Sequence, residues 1–318
     1  MVMSTSIRSS LKNNFITRPM YMAARGLYLL IRKALYTYLT KYYFSVSKSK
    51  GYKYFKWKGW VLKEAWNDPY KVSSILNNLI QFTNMAKMVD QLTGPSPVIF
   101  DIGANVGTYC LACSEINGSR VYAFEPAYST FKMLEYNILK NKIDNASAHH
   151  LGISDFCSEQ TIKTSDGNVD SGAFSIQLVE NNSDNRETSE TARFTTLDQF
   201  MAEEAVGKID FLKARIQGMG HEVAVIEGGR ETIKKFRPII HLIYRQDMYE
   251  MNGVSTDPYI ELCDKQQYKL YLYNDITSSL CLLDPKGFFA KKSSDNLDLM
   301  FIPVEQSTSR EGHDRDKR

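Results

Sequence analysis

The chain is predicted to be an α/β protein built on a doubly wound, Rossmann-like parallel sheet. Three observations predict it. One is an apolar run that ends in a glycine-punctuated turn, Val98-Ile99-Phe100-Asp101-Ile102-Gly103-Ala104-Asn105-Val106-Gly107. A second apolar run follows and closes on a carboxylate, Tyr122-Ala123-Phe124-Glu125. The third is the alternation of short apolar runs with helical patterns that continues from there to Pro303. Apolar runs of this length between turn signals are strands buried on both faces, as a parallel sheet requires.

Taken in order, strands are expected near Val98 to Ile102, Arg120 to Glu125, Ala146 to Gly152, Asp210 to Ala214, Pro238 to Tyr244, Tyr268 to Tyr273 and Leu297 to Pro303. Helices are expected at Gly107 to Ile116, Ser129 to Asn141, Thr196 to Glu204, Gly220 to Lys235 and Pro258 to Lys265. Between Ser165 and Arg193 the chain is rich in Asn, Asp, Ser, Thr and Glu, which predicts an irregular insertion or a poorly ordered hairpin.

Glycines at 103 and 107 let the first turn tighten and approach a ligand, since no Cβ intrudes. Glu125, at the end of the next strand, can accept both hydroxyls of a ribose. Two cofactors suit that pair. A dinucleotide calls for G-x-G-x-x-G, whereas this turn is G-x-N-x-G with Asn105 at the middle glycine. S-adenosylmethionine has no phosphate to cradle, and its amino acid and sulfonium suit Asp101 beside an amide-bearing turn.

The 318 residues, 43% hydrophobic, suffice for one catalytic-size domain and an extension. The net charge of +3 conceals a division: Met1 to Lys63 carries 13 Lys or Arg and no Asp or Glu, so the remainder is acidic. The domain expectation is a basic, aromatic extension over 1–66, a catalytic domain over 67–303 with its insertion at about 165–193, and a disordered tail over 304–318. No uncharged stretch of the arm approaches the roughly 20 apolar residues of a spanning helix. Arg18, Arg25 and Arg32 fall on one side of a helix whose other sides are apolar, so the arm is read as an accessory helix and hairpin or as a peripheral membrane contact. A transit signal, and base stacking on the alternating lysines and aromatics of Lys53 to Trp60, are weaker alternatives. Five cysteines at no framework spacing predict a reducing compartment, hence a cytoplasmic protein. Cys110 and Cys113 are read as small core residues, not as a metal pair.

In order and spacing, several motifs together resemble the FkbM-type methyltransferases. They are the Val98 to Gly107 run, Phe124-Glu125-Pro126, Leu134-Glu135-Tyr136-Asn137, Gly152-Ile153-Ser154-Asp155, Thr196-Leu197-Asp198-Gln199-Phe200, Ile209-Asp210-Phe211-Leu212-Lys213 and Arg237-Pro238-Ile239-Ile240. The resemblance covers about Val98 to Tyr244. It implies a class I S-adenosylmethionine fold of seven strands, one of them antiparallel through the last hairpin, and O-methylation of a hydroxyl on a sugar or secondary metabolite. It further implies that Asp101, Gly103, Asn105 and Gly107 line the methionine end of the cofactor, that Glu125 holds the ribose, and that Asp155 sits beside the adenine.

After the fourth strand the sequence departs from the family. The usual Ile-Asp-Val-Glu-Gly-Ala-Glu becomes Ala214-Arg215-Ile216-Gln217-Gly218-Met219-Gly220, and a further family glutamate appears as Ile243. A guanidinium does not deprotonate and repels both Mg²⁺ and a sulfonium. At ~6 Å and an effective dielectric of ~20, two like charges cost about 3 kcal/mol. A metal mechanism is therefore not expected. Catalytic candidates are Arg215, which would suit an anionic acceptor, and the bases His221 and His241; His149 and His150 are expected at the surface. The expected partner is a small-molecule acceptor. A catalytically silent relative is the second reading, and a nucleic-acid methyltransferase the third, since no Asn-Pro-Pro-Tyr or Pro-Cys motif is found.

Overall fold

A computed structural model of the chain describes residues 54–57, 60–63, 69–165, 187–216, 220–274, 277–291 and 293–307. The expectations for the arm before residue 54, for most of the insertion, for Gln217 and for the end of the tail lie outside those residues. Two units are distinguished. One comprises Met1–Tyr52 and Trp66–Asn77, of which residues 69–77 are described, as helix. The other, Lys53–Ala65 and Asn78–Arg318, contains every described strand.

The second unit begins with an antiparallel hairpin of β1 (Tyr54–Trp57) and β2 (Trp60–Lys63), in which Trp60 and Leu62 are buried. The helix α1 (Pro69–Leu92) was not anticipated; from Phe82 it buries Met85, Ala86 and Val89 at helical spacing. Then come β3 (Val98–Ile102), α2 (Thr108–Ser114), β4 (Arg120–Phe124), α3 (Tyr128–Lys140), β5 (Ala146–His149), β6 (Gly152–Ser154), β7 (Ser158–Ser165) and β8 (Glu187–Thr196). The chain continues through α4 (Leu197–Glu203), β9 (Phe211–Ala214), α5 (His221–Glu227), α6 (Arg230–Phe236) and β10 (Ile239–Tyr244). It closes with α7 (Gln246–Met251), α8 (Asp257–Asp264), β11 (Tyr268–Asn274), β12 (Ser279–Leu282), α9 (Pro285–Phe289) and β13 (Leu297–Pro303).

The main sheet has eight strands in the order β12-β11-β13-β10-β9-β3-β4-β5. From β5 to β10 neighbours are parallel, and β13 is inserted antiparallel between β10 and β11. The seven expected strands are present in the doubly wound order, and β12 adds an eighth at the edge. On one face Phe100, Ile102, Leu212, Ala214, Ile240 and Leu242 belong to the main core, capped by Phe200 of α4. Phe200 packs edge-on against Phe124 with centroids 4.7 Å apart, a pairing that contributes about 0.5–1.5 kcal/mol beyond area burial. On the other face the register lines up Asp101, Lys213 and His241 on three neighbouring strands, and sets Ile243 opposite Asp298. A parallel sheet thus carries a buried polar row through its centre.

Four sequence expectations change. The strand expected over Ala146 to Gly152 divides after His149: the Leu151 amide donates to the His149 carbonyl at 2.9 Å, and the chain turns away to pair β6 with β8 in a separate three-stranded sheet. His149 is half-buried, its ring stacked 5.1 Å from Phe124, and burial lowers its pKa; only His150 is exposed. The helix expected over Gly220 to Lys235 breaks at Gly228-Gly229. A Cβ on Gly228 would lie 2.0 Å from the Ser154 carbonyl oxygen, so only glycine lets the helix approach β6 this closely. The interrupted helix restarts on a side-chain cap from elsewhere: the Asp198 carboxylate accepts the amides of Glu231 and Thr232 at 3.1 and 2.7 Å. Finally, the flanks of the polar insertion are ordered as β7 and β8, paired from Ser158↔Phe194 to Ser165↔Glu187.

Candidate functional site

The glycine turn lies between β3 and α2, at the carboxyl end of the parallel strands where such sheets meet their ligands. Gly103, Asn105 and Gly107 all have positive φ, at 70, 53 and 91°. Asn105 tolerates this because its Oδ1 accepts the Val106 amide at 2.7 Å. A Cβ on Gly107 would stand 2.7 Å from Leu134, and one on Gly103 would stand 2.9 Å from the Arg215 carbonyl oxygen. The two glycines thus admit α3 on one side and the segment after β9 on the other. The buried Asn137 braces the turn further by donating Nδ2 to the Val106 carbonyl at 2.8 Å. That assigns a task to the Leu-Glu-Tyr-Asn motif which its sequence alone did not reveal; an amide on a buried helical face was the available signal.

Glu125 is only 2% exposed. Its two carboxylate oxygens accept the amides of Asn105 at 2.9 Å and Ala127 at 3.1 Å. Burial pushes its pKa up to about 7, against the opposing pull of those two amides and of the Lys213 charge. Each oxygen retains a second lone pair for a hydroxyl donor. Asp101 is fully buried, and its Oδ1 forms an ion pair with Lys213 Nζ at 2.5 Å. The same ammonium donates to the Gly103 carbonyl at 3.1 Å and lies over the Tyr109 ring at 5.4 Å. Asp101 Oδ2 is buried with no hydrogen-bond partner among the described residues. A buried acceptor in want of a donor beside the turn, with a carboxylate suited to a diol one strand away, fits the amino-acid and ribose ends of S-adenosylmethionine.

The segment after β9 holds the unexpected feature. Arg215 Nε lies 3.5 Å from Asp298 Oδ1, and the same oxygen accepts His241 Nε2 at 3.0 Å. Gln81 on α1 donates to Asp298 Oδ2 at 3.2 Å. The family carboxylates are absent from Arg215, Gly220 and Ile243, but β13 delivers another one to the same neighbourhood. Burial pushes the Asp298 carboxyl up; the His241 hydrogen bond and the Arg215 charge outweigh it and hold the group below the usual carboxylate range. With Asp298 ionised beside it, Arg215 is charge-compensated, so the repulsion of a sulfonium inferred from the sequence is largely removed. Asp298 escaped the sequence reading; its one signal was a carboxylate inside the apolar run Leu297 to Ile302.

The structure therefore brings Asp101, Gly103, Asn105, Gly107 and Glu125 together, and joins Arg215 to His241 through Asp298. His241 is fully buried, and desolvation lowers its pKa. His221 opens α5 outside that network, half-buried and likewise lowered by burial. Asp155 is exposed in the bend that follows β6, where it accepts the Ser154 hydroxyl at 3.2 Å. Glu222, also unanticipated, is fully buried and accepts the amides of Ile216 at 2.9 Å and Gly220 at 3.2 Å, bracing the segment that lost its acids. Gly220 itself has φ 102°, and a Cβ there would meet Val254 at 2.6 Å. Returning the family acid by Gly220→Glu is accordingly expected to destabilise the fold by about 1–3 kcal/mol in denaturant titration. Unchanged stability would show that the Val254 contact yields freely.

A parallel sheet with two late antiparallel strands, β13 and the edge strand β12, and a carboxylate-flanked glycine turn at its carboxyl edge are the class I methyltransferase fold of the S-adenosylmethionine type. The profile of the methyltransferase FkbM domain matches residues 101–277, more than half of the chain. This protein belongs to the FkbM methyltransferase family. No curated protein matches the chain closely enough to count as a relative. Among solved structures, an rRNA methylase from Streptococcus thermophilus is 9% identical with a TM-score of 0.40, covering 69% of this chain and 94% of that one. SMU.1697c of Streptococcus mutans, assigned as a methyltransferase and solved with SAH, is 10% identical at 0.40, covering 68% and 94%. The precorrin-6y C5,15-methyltransferase of Geobacter metallireducens is 10% identical at 0.35, covering 68% and 87%. Likeness at this level decides nothing about the acceptor. No helix among the described residues is long and apolar enough to cross a membrane.

Proposed function

We propose that the chain transfers a methyl group from S-adenosylmethionine to an oxygen of a small-molecule acceptor, a sugar or another secondary metabolite. The observation that carries this reading is the pairing of the buried Asp101 Oδ2 with Glu125 on either side of the positive-φ turn. When bound, the cofactor supplies an electrophilic methyl group. The chain's own residues bind and orient: Glu125 accepts the ribose hydroxyls, Asp101 meets the amino-acid end, and Lys213 holds the Asp101 carboxylate in place. Asp298 compensates the charge of Arg215 where the acceptor approaches. With a strong electrophile in place, positioning supplies much of the rate.

The absence of family acids at Arg215 and Ile243 favours a second reading, a silent relative that binds cofactor without turnover. Calorimetric titration of S-adenosylmethionine and SAH, with Glu125→Ala as control, tests the first requirement. Binding that is lost in the control supports the cofactor site, and failure of the wild-type chain to bind either compound would remove the reading altogether. Release of SAH in the presence of acceptor then separates an active enzyme from a silent one.

A further inference from the structure

Resting on that reading, we propose that the oxygen methylated is that of a carboxylate held by the outer edge of Arg215, so that the product is a methyl ester.

The first argument is the orientation of the guanidinium. Arg215 Nε turns inward to Asp298 at 3.5 Å, and the group lies over the Phe82 ring at 5.6 Å. No hydrogen bond from the terminal nitrogens of Arg215 is found among the described residues, and the side chain keeps 23% of its exposure. Nε itself is buried without a hydrogen-bond partner and faces Asp298 by charge alone; the opposite, planar two-donor edge has the geometry that binds a carboxylate through two parallel hydrogen bonds. Its backbone lies against the cofactor turn, since the Arg215 carbonyl is the atom that a Cβ on Gly103 would strike.

The second argument concerns the proton. A hydroxyl acceptor must lose one, and among the described residues no member of the network of Arg215, Asp298 and His241 is suited to take it. Guanidinium cannot. His241 is sealed from solvent, and its Nε2 is committed to Asp298. Asp298 is already engaged by His241, Gln81 and Arg215. A carboxylate brings no proton to remove. Its oxygen lone pair forms the new bond to the methyl carbon while the bond from that carbon to sulfur breaks; the bonding electrons pass to sulfur, leaving a neutral thioether and a neutral ester. The family's lost acids thus become unnecessary.

Charge agrees. Lys213 with Asp101, and Arg215 with Asp298, are two compensated pairs, which leaves the polar row neutral. An anionic acceptor is drawn both to the Arg215 edge and to the positive sulfonium, and a neutral hydroxyl acceptor is drawn to neither by charge.

Two measurements decide the matter. In the first, the full chain is incubated with S-adenosylmethionine carrying a tritiated methyl group and a small-molecule extract of the cells that make the protein, and the product is treated with mild alkali. Methyl esters release volatile labelled methanol, and methyl ethers do not. Alkali-labile label is expected. Alkali-stable label would overturn the carboxylate acceptor while leaving the methyltransferase reading intact, and no label at all would overturn both. The second measurement needs no cofactor. Arginine side-chain resonances of the labelled chain are followed in nuclear magnetic resonance during titration with acetate, and with acetamide as the neutral isostere. The Arg215 signal is expected to respond to acetate at about tenfold lower concentration than to acetamide, as a charge-assisted pair would give. Arg215→Gln should leave the remaining arginine signals equally insensitive to both. Equal responses in the wild-type chain would overturn the proposal.

Discussion

Asp101→Ala is expected to lower the unfolding free energy by about 3–5 kcal/mol, because it leaves the Lys213 ammonium buried with its counter-charge gone. The Lys213 side chain is 3% exposed and that of Asp101 has no exposure, so water cannot replace the lost partner. The contacts that remain to Lys213, the Gly103 and Ile102 carbonyls at 3.1 and 3.5 Å and the Tyr109 and Phe82 rings at 5.4 and 5.9 Å, orient the ammonium without neutralising it. Exchanging both members, Asp101→Leu with Lys213→Met, should recover most of the stability, since an apolar pair of similar volume avoids the desolvation of two ions. Denaturant unfolding of the two single variants and the double variant measures the coupling. If Asp101→Ala costs under about 1 kcal/mol, the pair is not the electrostatic centre described here. Even where the double variant folds well, it should fail to bind SAH, because the carboxylate facing the turn has gone.

The second large effect is on the pH dependence of cofactor affinity. Hydroxyl donors favour the ionised form of Glu125, whose pKa burial pushes up to about 7. SAH affinity should therefore be constant above neutrality and weaken by about tenfold for each pH unit below it. Glu125→Gln should remove the slope and weaken binding at pH 8 by about 10²–10³-fold, the loss of two charge-assisted hydrogen bonds. The stability of the unliganded protein should move in the opposite sense. The folded pKa lies above the unfolded value of 4.5, so between 4.5 and about 7 the native state binds more protons. Its contribution is fully present below the unfolded value and is lost as pH rises through about 7, amounting to about 3 kcal/mol, which Glu125→Gln should abolish. An SAH affinity independent of pH in the wild-type chain would show that Glu125 does not meet the ribose.

Much of this protein is legible in its sequence for a local reason. The apolar runs at Val98 and Ile239 mark strands that must be buried on both faces, and the structure places β3 and β10 there, buried throughout. Gly103 and Gly107 are legible because their backbone requirement is met within the turn itself. The breaks after His149 and at Gly228 were not legible, because each depends on a neighbour remote in sequence: β8 draws β6 away from the main sheet, and the Ser154 carbonyl leaves no space for a side chain on Gly228.

The sequence by itself determined the sheet and its glycine turn, since these follow from the period of apolar residues and from glycine at positions that need positive φ, while the ordered set of motifs carried the resemblance to the family. Only the tertiary structure decided what stands where the family acids were lost. Asp298 comes 57 residues after His241 and 217 after Gln81, and nothing in the intervening chain indicates that the three would meet. Their meeting is fixed by strand register: β13 enters antiparallel beside β10 and sets Asp298 opposite Ile243, within reach of Arg215 at the end of β9. A carboxylate can be lost from one strand and supplied by its neighbour because the site requires charge at a place in space, and register, not sequence position, defines that place.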